Sequence, residues 1–550
     1  MIGVAANDSQ ASVVREFFEL FKTPWEFCRP GVTYDVVLCS ESHLPDNSAP
    51  LTIIHGSRRH PFDSKSGIEA GVRLRTTMLA CGGDRIPIYG DCQTFTGPGI
   101  PVWLTENGET VALEFAGPAG TFVRVGFDLF AEAEELLRRG QPANYAQIPT
   151  LDLQVALLRD LIVSRSIPLS EIPPIPSSYR FIVCLTHDVD NFGIKNHRFD
   201  HTIVGFVYRA LIGSLLGLCT GRKSVRHLVT NWKAVFSLPF VYLGMAKDFW
   251  KALNRYGEIE NGLPSTFFVI PRKDDPGQAI GSLSHEWRAA RYEIAEVGEQ
   301  LEELIAAGCE IGLHGIDAWS DVAKGCAELE AIRKVTGESE IGVRMHWLYF
   351  DENSPARLEK AGFSYDSTVG YNETVGYRAG TTQAFQPLNA DRLLELPMHV
   401  MDTALFYPAY MNLLPGQAKV ILDRMIANVS RFGGVLTVNW HDRSIAPDRL
   451  WDQPYVELLE ELKGQGAWFA TATQAVAWFR KRRSASIEQT DAAEAKVGGN
   501  QRKDNLPGLR VQRHNASAPQ PLRSRNGASD SAVSELALGR AKESRAVHPA

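Results

Sequence analysis

Between Phe181 and Thr471 short apolar runs alternate with amphipathic helical segments, and that alternation permits few folds. Phe181-Ile-Val-Cys-Leu-Thr, Ser265-Thr-Phe-Phe-Val-Ile, Cys309-Glu-Ile-Gly-Leu, Gly434-Val-Leu-Thr-Val-Asn and Ala467-Trp-Phe-Ala-Thr read as buried strands. Runs apolar on both faces, separated by helices, mark a parallel sheet covered on its outer side. The helices carry their own signals. Val297, Leu301, Leu304 and Ile305 share one face and end at Gly308; Val322, Cys326 and Leu329 do the same before Gly337. A third helix opens at Ser354-Pro355 and closes at Gly362.

The prolines at 168, 173, 174 and 176 mark a boundary, giving an N-terminal α/β domain over 1–172 and a barrel-type domain over 173–483. The N-terminal domain shows no identifiable chemistry. Its helix Ala11–Phe21 has apolar residues at 14, 17, 18 and 21, and His55 and His60 read as structural. Residues 195–262 form a helical insertion between the first two barrel strands. No Phe, Trp or Tyr follows Phe479, so residues 484–550 are expected to be disordered.

Polar residues gather where the strands end. Thr186 runs into His187-Asp188-Val189-Asp190, Leu313 into His314-Gly-Ile-Asp317, and Val438-Asn439 into Trp440-His441-Asp442. In a parallel barrel these C-terminal ends share one face, and active sites are built there. Two carboxylates at i and i+2 on an extended strand end can occupy one pocket, one on a metal and the other free. Hydrolysis of an amide needs an activated water, a stabilised oxyanion and a protonated leaving group. A divalent metal with a separate base and acid supplies all three.

Asp188-Val-Asp190, Glu310-Ile-Gly-Leu-His314, Arg344-Met-His-Trp347 and Leu436-Thr-Val-Asn-Trp-His441, in that order, resemble the motifs of the polysaccharide deacetylase (NodB-homology, carbohydrate esterase family 4) superfamily. Ser265-Thr-Phe-Phe-Val-Ile also matches its second barrel strand. The resemblance implies an incomplete (β/α) barrel and metal-dependent hydrolysis of amide C–N bonds. The expected reaction is N-deacetylation of an N-acetylated sugar in a polysaccharide or its precursor. It makes Asp188 the general base, Arg344 the residue that orients it, and His441 the general acid. Asp190 and His314 become metal ligands, with zinc the expected ion. Trp347 walls the acyl pocket, and Trp440 and Arg378 are assigned to substrate. The family places a second histidine four residues after the first, where this chain has Ala318. Asp317 is therefore expected as the third ligand, with His346 its competitor. His399 and Asp402 are candidates to buttress His441. A catalytically inactive glycan-binding module, and a hydrolase of small cyclic amides, are the alternatives.

The composition gives no reason to expect a nucleic-acid partner; the carbohydrate partner is what the resemblance implies. The net charge is -7, and no basic, aromatic-studded stripe is present. Eight scattered cysteines without a CxxC pair suit a reducing compartment, and the N-terminus lacks a signal-peptide pattern, so a cytoplasmic location is expected. Thr202–Cys219 is the one membrane candidate, interrupted by Arg209; it is expected to pack or to touch a membrane rather than to span one.

Overall fold

The computed structural model describes residues 1–515 except 41–43, 48, 118–119, 199, 252, 280–284, 490–494 and 499–504. Two compact units emerge. The first takes in Met1–Ser178, Tyr377–Leu388 and the described chain from Trp478 on; the second takes in Tyr179–Gly376 and Asn389–Ala477. Residues 377–388 and 478–483, expected in the barrel domain, thus cluster with the first unit.

That first unit is built on a nine-stranded mixed sheet. Ile2–Ala5, Val36–Cys39, Leu51–His55 and Gly120–Val125 pair in parallel, and antiparallel strands between residues 69 and 117 extend the sheet. Helix Ala11–Phe21 buries Val14, Phe17, Phe18 and Phe21, the face its spacing predicts. His55 and His60 are structural: the Nδ1 of His60 accepts from Phe62 N at 3.0 Å, and His55 lies buried against Asp128 at 3.4 Å.

Part of the segment expected to be disordered is ordered. Gln512–His514 pairs antiparallel with Leu169–Glu171, and His514 Nε2 lies 3.0 Å from the buried Glu171 carboxylate. Composition misses this strand because it is held by backbone pairing to one short strand and by one ion pair, not by an apolar face. Residues 516–550 lie outside the described residues.

The second unit contains a nine-stranded, all-parallel sheet, eight strands of which follow one continuous order. In chain order these eight are β1 (Ile182–Val189), β2 (Ser265–Val269), β3 (Glu310–Gly315), β4 (Val343–Met345), β5 (Tyr365–Asp366), β6 (Leu394–Glu395), β7 (Val400–Met401) and β8 (Val435–Asn439). The spatial order is β6-β5-β4-β3-β2-β1-β8-β7, and the end strands β6 and β7 do not pair, so the barrel is incomplete. A ninth strand, β9 (Trp468–Phe469), pairs with the start of β1. Register sets Thr186 opposite Asn439 and Leu313 opposite Val343, which brings the C-terminal ends of β1, β3, β4 and β8 to one side.

The helices follow their sequence signals. The insertion folds as α1 (His201–Cys219) and α2 (Val225–Tyr242), and α1 contains a π turn at Arg209–Gly213. Beyond it come α3 (Gly298–Ala306), α4 (Val322–Thr336), α5 (Ser354–Ala361) and α6 (Asp452–Gly464). Asp321 caps α4 by accepting from Lys324 N at 2.9 Å, and Gly337, at φ 73°, ends it in the left-handed conformation that glycine tolerates. Strands β4 to β7 are only two or three residues long, which is why periodicity alone does not reveal them.

Deleting residues 485–550 is expected to leave Glu171 with Arg159 as its remaining cationic partner. A buried group that loses one partner costs about 1–3 kcal/mol. Differential scanning calorimetry should show unfolding of the first unit lowered by roughly 2–12 °C, at about 2–4 °C per kcal/mol for a unit of this size.

Candidate metal centre

Period-two alternation on β1 turns Cys184, Thr186 and Asp188 to the barrel interior and His187 to its outer side. Asp188 is held on both oxygens: Arg344 Nη1 donates to Oδ1 at 3.0 Å and Asn439 Nδ2 to Oδ2 at 2.8 Å. Burial pushes its carboxyl up, but Arg344, then His314 and His441, outweigh burial and hold it below the usual carboxylate range. His187 instead bonds Glu260 at 2.7 Å in the core.

Arg344 is fully buried at the end of β4. Its guanidinium also donates to Thr186 Oγ1 at 2.8 Å and to Ser367 at 3.1 and 2.9 Å, and it lies over the Phe268 ring. Its carbonyl bonds His314 Nδ1 at 2.9 Å. That bond makes Nδ1 the protonated nitrogen and leaves the Nε2 lone pair facing the cavity.

His346 completes the cluster. It follows β4, and its Nδ1 lies 3.0 Å from His314 Nε2; both nitrogens are 3.3 Å from Asp190 Oδ1. Trp347 and Leu348 take left-handed backbone at φ 62° and 55°, costly for non-glycine residues, and this turn aims His346 inward. The buried Arg288 pins the turn by donating to the His346 carbonyl at 3.1 Å and to Ile316 O at 2.7 Å.

These three donors fit a divalent ion. Ligand bonds of about 2.0–2.2 Å at octahedral to tetrahedral angles imply donor separations of roughly 2.8–3.6 Å; the observed edges are 3.0, 3.3 and 3.3 Å. Asp190 Oδ1 is buried without a hydrogen-bond partner. Burial pushes the His346 imidazole down to about 4, so it presents a lone pair at neutral pH. The set is one carboxylate and two imidazoles, which suits zinc and other first-row ions.

Asp317 is not part of it, which corrects the expectation from the sequence. Its carboxylate accepts from Gln278 N at 2.7 Å and pairs with Lys324, so it serves the loop. The i+3 spacing from His314 placed it nearby but did not set its direction. His346 needed a loop conformation that spacing does not encode.

His441 faces the same cavity. Its Nε2 is 3.9 Å from Asp190 Oδ2, and its Nδ1 bonds the buried Asp402 at 2.6 Å. A second Asp402 oxygen accepts from His441 N at 2.7 Å. Burial alone would lower the imidazole pKa, but Asp402, with Asp190 and Asp188, raises it to about 9. Asp402 is the buttress the sequence offered together with His399; His399 Nδ1 is turned to Thr437 N at 3.3 Å instead. Asp442 lies beside Asp190, and burial followed by that like charge pushes its carboxyl up to about 6.

Two residues assigned to substrate are elsewhere. Trp440 is fully buried, stacked on Tyr455 of α6 with ring centroids 5.0 Å apart, because alternation on β8 turns it away from Asn439. Arg378 belongs to the first unit, where its carbonyl accepts from Gln141 N at 2.7 Å. Trp347 does line the cavity, with Tyr407, Tyr410 and Trp287 adding aromatic walls.

No family model matches the chain. It is 26% identical to a peptidoglycan deacetylase of Helicobacter pylori over 103 residues, 17% of this chain and 35% of that protein. The chain thus spans about a third of the length of that curated relative. Among solved structures it is similar to a candidate polysaccharide deacetylase from Mycobacterium smegmatis (19% identity, 58% of this chain and 99% of that one, TM-score 0.34). It is also similar to PuuE allantoinase (16% identity, 56% and 93%, TM-score 0.34). A third is a family 4 acetyl xylan esterase from Clostridium thermocellum in complex with a cobalt ion (14% identity, 54% and 91%, TM-score 0.24). The chain resembles the polysaccharide deacetylase superfamily in its motif order and in its curated relative.

His346→Ala should weaken divalent-ion affinity by more than the about 10–100-fold that an outer-shell substitution costs. Asp317→Ala should leave it within that range of the parent. Calorimetric titration of each variant with zinc checks both, and loss of the ion from Asp317→Ala alone would restore Asp317 as the ligand.

Proposed function

We propose that this chain is a metal-dependent hydrolase of amide C–N bonds that removes the acetyl group from an N-acetylated sugar in a glycan or its precursor. The observation that carries this reading is the division of labour between two neighbouring carboxylates. Asp188 is committed to Arg344 and Asn439, whereas Asp190 is turned to two imidazole nitrogens.

A divalent ion held by Asp190, His314 and His346 would polarise the acyl carbonyl and lower the pKa of water. Asp188, kept ionised by Arg344, takes the proton of the attacking water as the C–O bond forms. His441, held protonated by Asp402, gives its Nε2 proton to the sugar nitrogen as the C–N bond breaks. Trp347 at the cavity wall offers an apolar surface to the acyl methyl group. A purely glycan-binding module has no use for a base and an acid that are each fixed by a buried partner.

The test is acetate release from N-acetylglucosamine oligosaccharides, run beside a cyclic ureide. Asp188→Asn and His441→Ala should each lower kcat by ~10²-fold or more while the bound ion is retained. Hydrolysis of the ureide alone would reassign the substrate, and full activity in metal-free protein would remove the mechanism. Asp402→Asn addresses the acid separately. Activity requires His441 protonated, so it falls as pH rises through the His441 pKa, about 9 in the parent. Removing the Asp402 charge lowers that pKa, and the alkaline limb of kcat should move to lower pH. An unmoved limb would mean that His441 is not the proton donor.

A further inference from the structure

We infer that the helical insertion docks the second unit onto an anionic membrane surface, with α1 and α2 lying flat in the headgroup region. Of the twenty large hydrophobic side chains exposed among the described residues, twelve lie between Val204 and Met245. On α1 they recur at Val204, Tyr208, Ile212 and Leu216, and on α2 at Val225, Val229, Trp232, Phe236 and Phe240. This is the spacing of one helical face. Exposure reaches 67% at Phe236 and 62% at Val204. Water-facing apolar area of this extent marks an interaction surface.

The opposite faces are occupied. Ile203, Phe206 and Ala210 of α1 and Ala234, Leu238 and Val241 of α2 are buried in one cluster with Trp250 and Ala446. Arg209 reaches Asp448 at 3.4 Å. At 19 residues and a mean hydropathy of 1.7, α1 has the length and composition of a membrane span. The attachment of its inner face to the barrel, and the π turn at Arg209–Gly213, leave only its outer face for lipid, so the helix pair lies on a bilayer instead of crossing it.

Charge selects the occupant. From His201 to Lys247 the chain has six Lys or Arg residues and no Asp or Glu, in a protein of net charge -7; Arg209 is paired inward with Asp448, which leaves five. A second copy pressed face to face would oppose two such cationic sets, whereas anionic lipid complements them. His201 and Thr202, in the first turn of α1, line the cavity that holds the site, so the docked face adjoins the cavity. Substrate is then met at the membrane surface.

The experiment is sedimentation of the full chain with vesicles of phosphatidylcholine alone or mixed with phosphatidylglycerol. Wild type should bind the mixed vesicles and be released by high salt. The double variant Phe236→Asp, Phe240→Asp should lose binding by about tenfold or more, and Arg226→Glu, Lys233→Glu should lose the preference for anionic lipid. All four side chains are exposed, so an unchanged thermal transition serves as the folding control. Independently of these variants, brominated lipid should quench a fluorescence component that Trp232→Phe removes. Absence of vesicle binding by wild type overturns the inference. So does a folded Phe236→Asp, Phe240→Asp protein that binds like wild type. Concentration-dependent dimerisation without vesicle binding, abolished by the same pair, assigns the face to a second copy.

Discussion

One buried guanidinium organises the chemistry of this chain. Arg344 has no exposure to solvent, and its donors tie together Thr186 and Asp188 on β1 and Ser367 after β5, while its own carbonyl receives His314 Nδ1–H. A single residue therefore sets the direction and ionisation of the proposed base and the tautomer of a proposed metal ligand. A buried charge of this kind is tolerable only when paired, and breaking such a pair typically costs about 3–5 kcal/mol. The ends of β1, β3 and β5 are thus held in one geometry by an interaction that cannot be weakened piecemeal.

Around that fixed point the site divides its charges. Asp188 is held by one cationic and one amide donor, Asp190 is left facing imidazole nitrogens, and Asp402 is buried behind His441. The carboxylates are close in chemistry and far apart in role because each has a different set of neighbours. The same logic explains the strained turn at Trp347 and Leu348. It costs backbone energy, yet it carries His346 into the cluster and places an aromatic wall at the cavity.

Much of this was legible in the residues. The long strands β1, β2, β3 and β8 declare themselves by apolar runs, and the polar residues that follow them mark the face on which Asp188, Asp190, His314, Arg344 and His441 converge. What escaped were features set by direction rather than by neighbourhood. Asp317 is close to His314 but is taken by Gln278 N–H and Lys324. Trp440 sits between two inward positions, so period two sends it outward to Tyr455. Gln512–His514 pairs through backbone and one ion pair, which composition does not register. Arg378 lies in a short excursion of the chain that joins the first unit.

The central claim is that Asp190, His314 and His346 together hold one ion. An anomalous-scattering map from crystals grown with zinc tests it most directly. The account predicts a single peak within about 2.0–2.2 Å of Asp190 Oδ1, His314 Nε2 and His346 Nδ1. A peak on Asp317 with His346 turned away, or no peak among the three donors at saturating zinc, would contradict it.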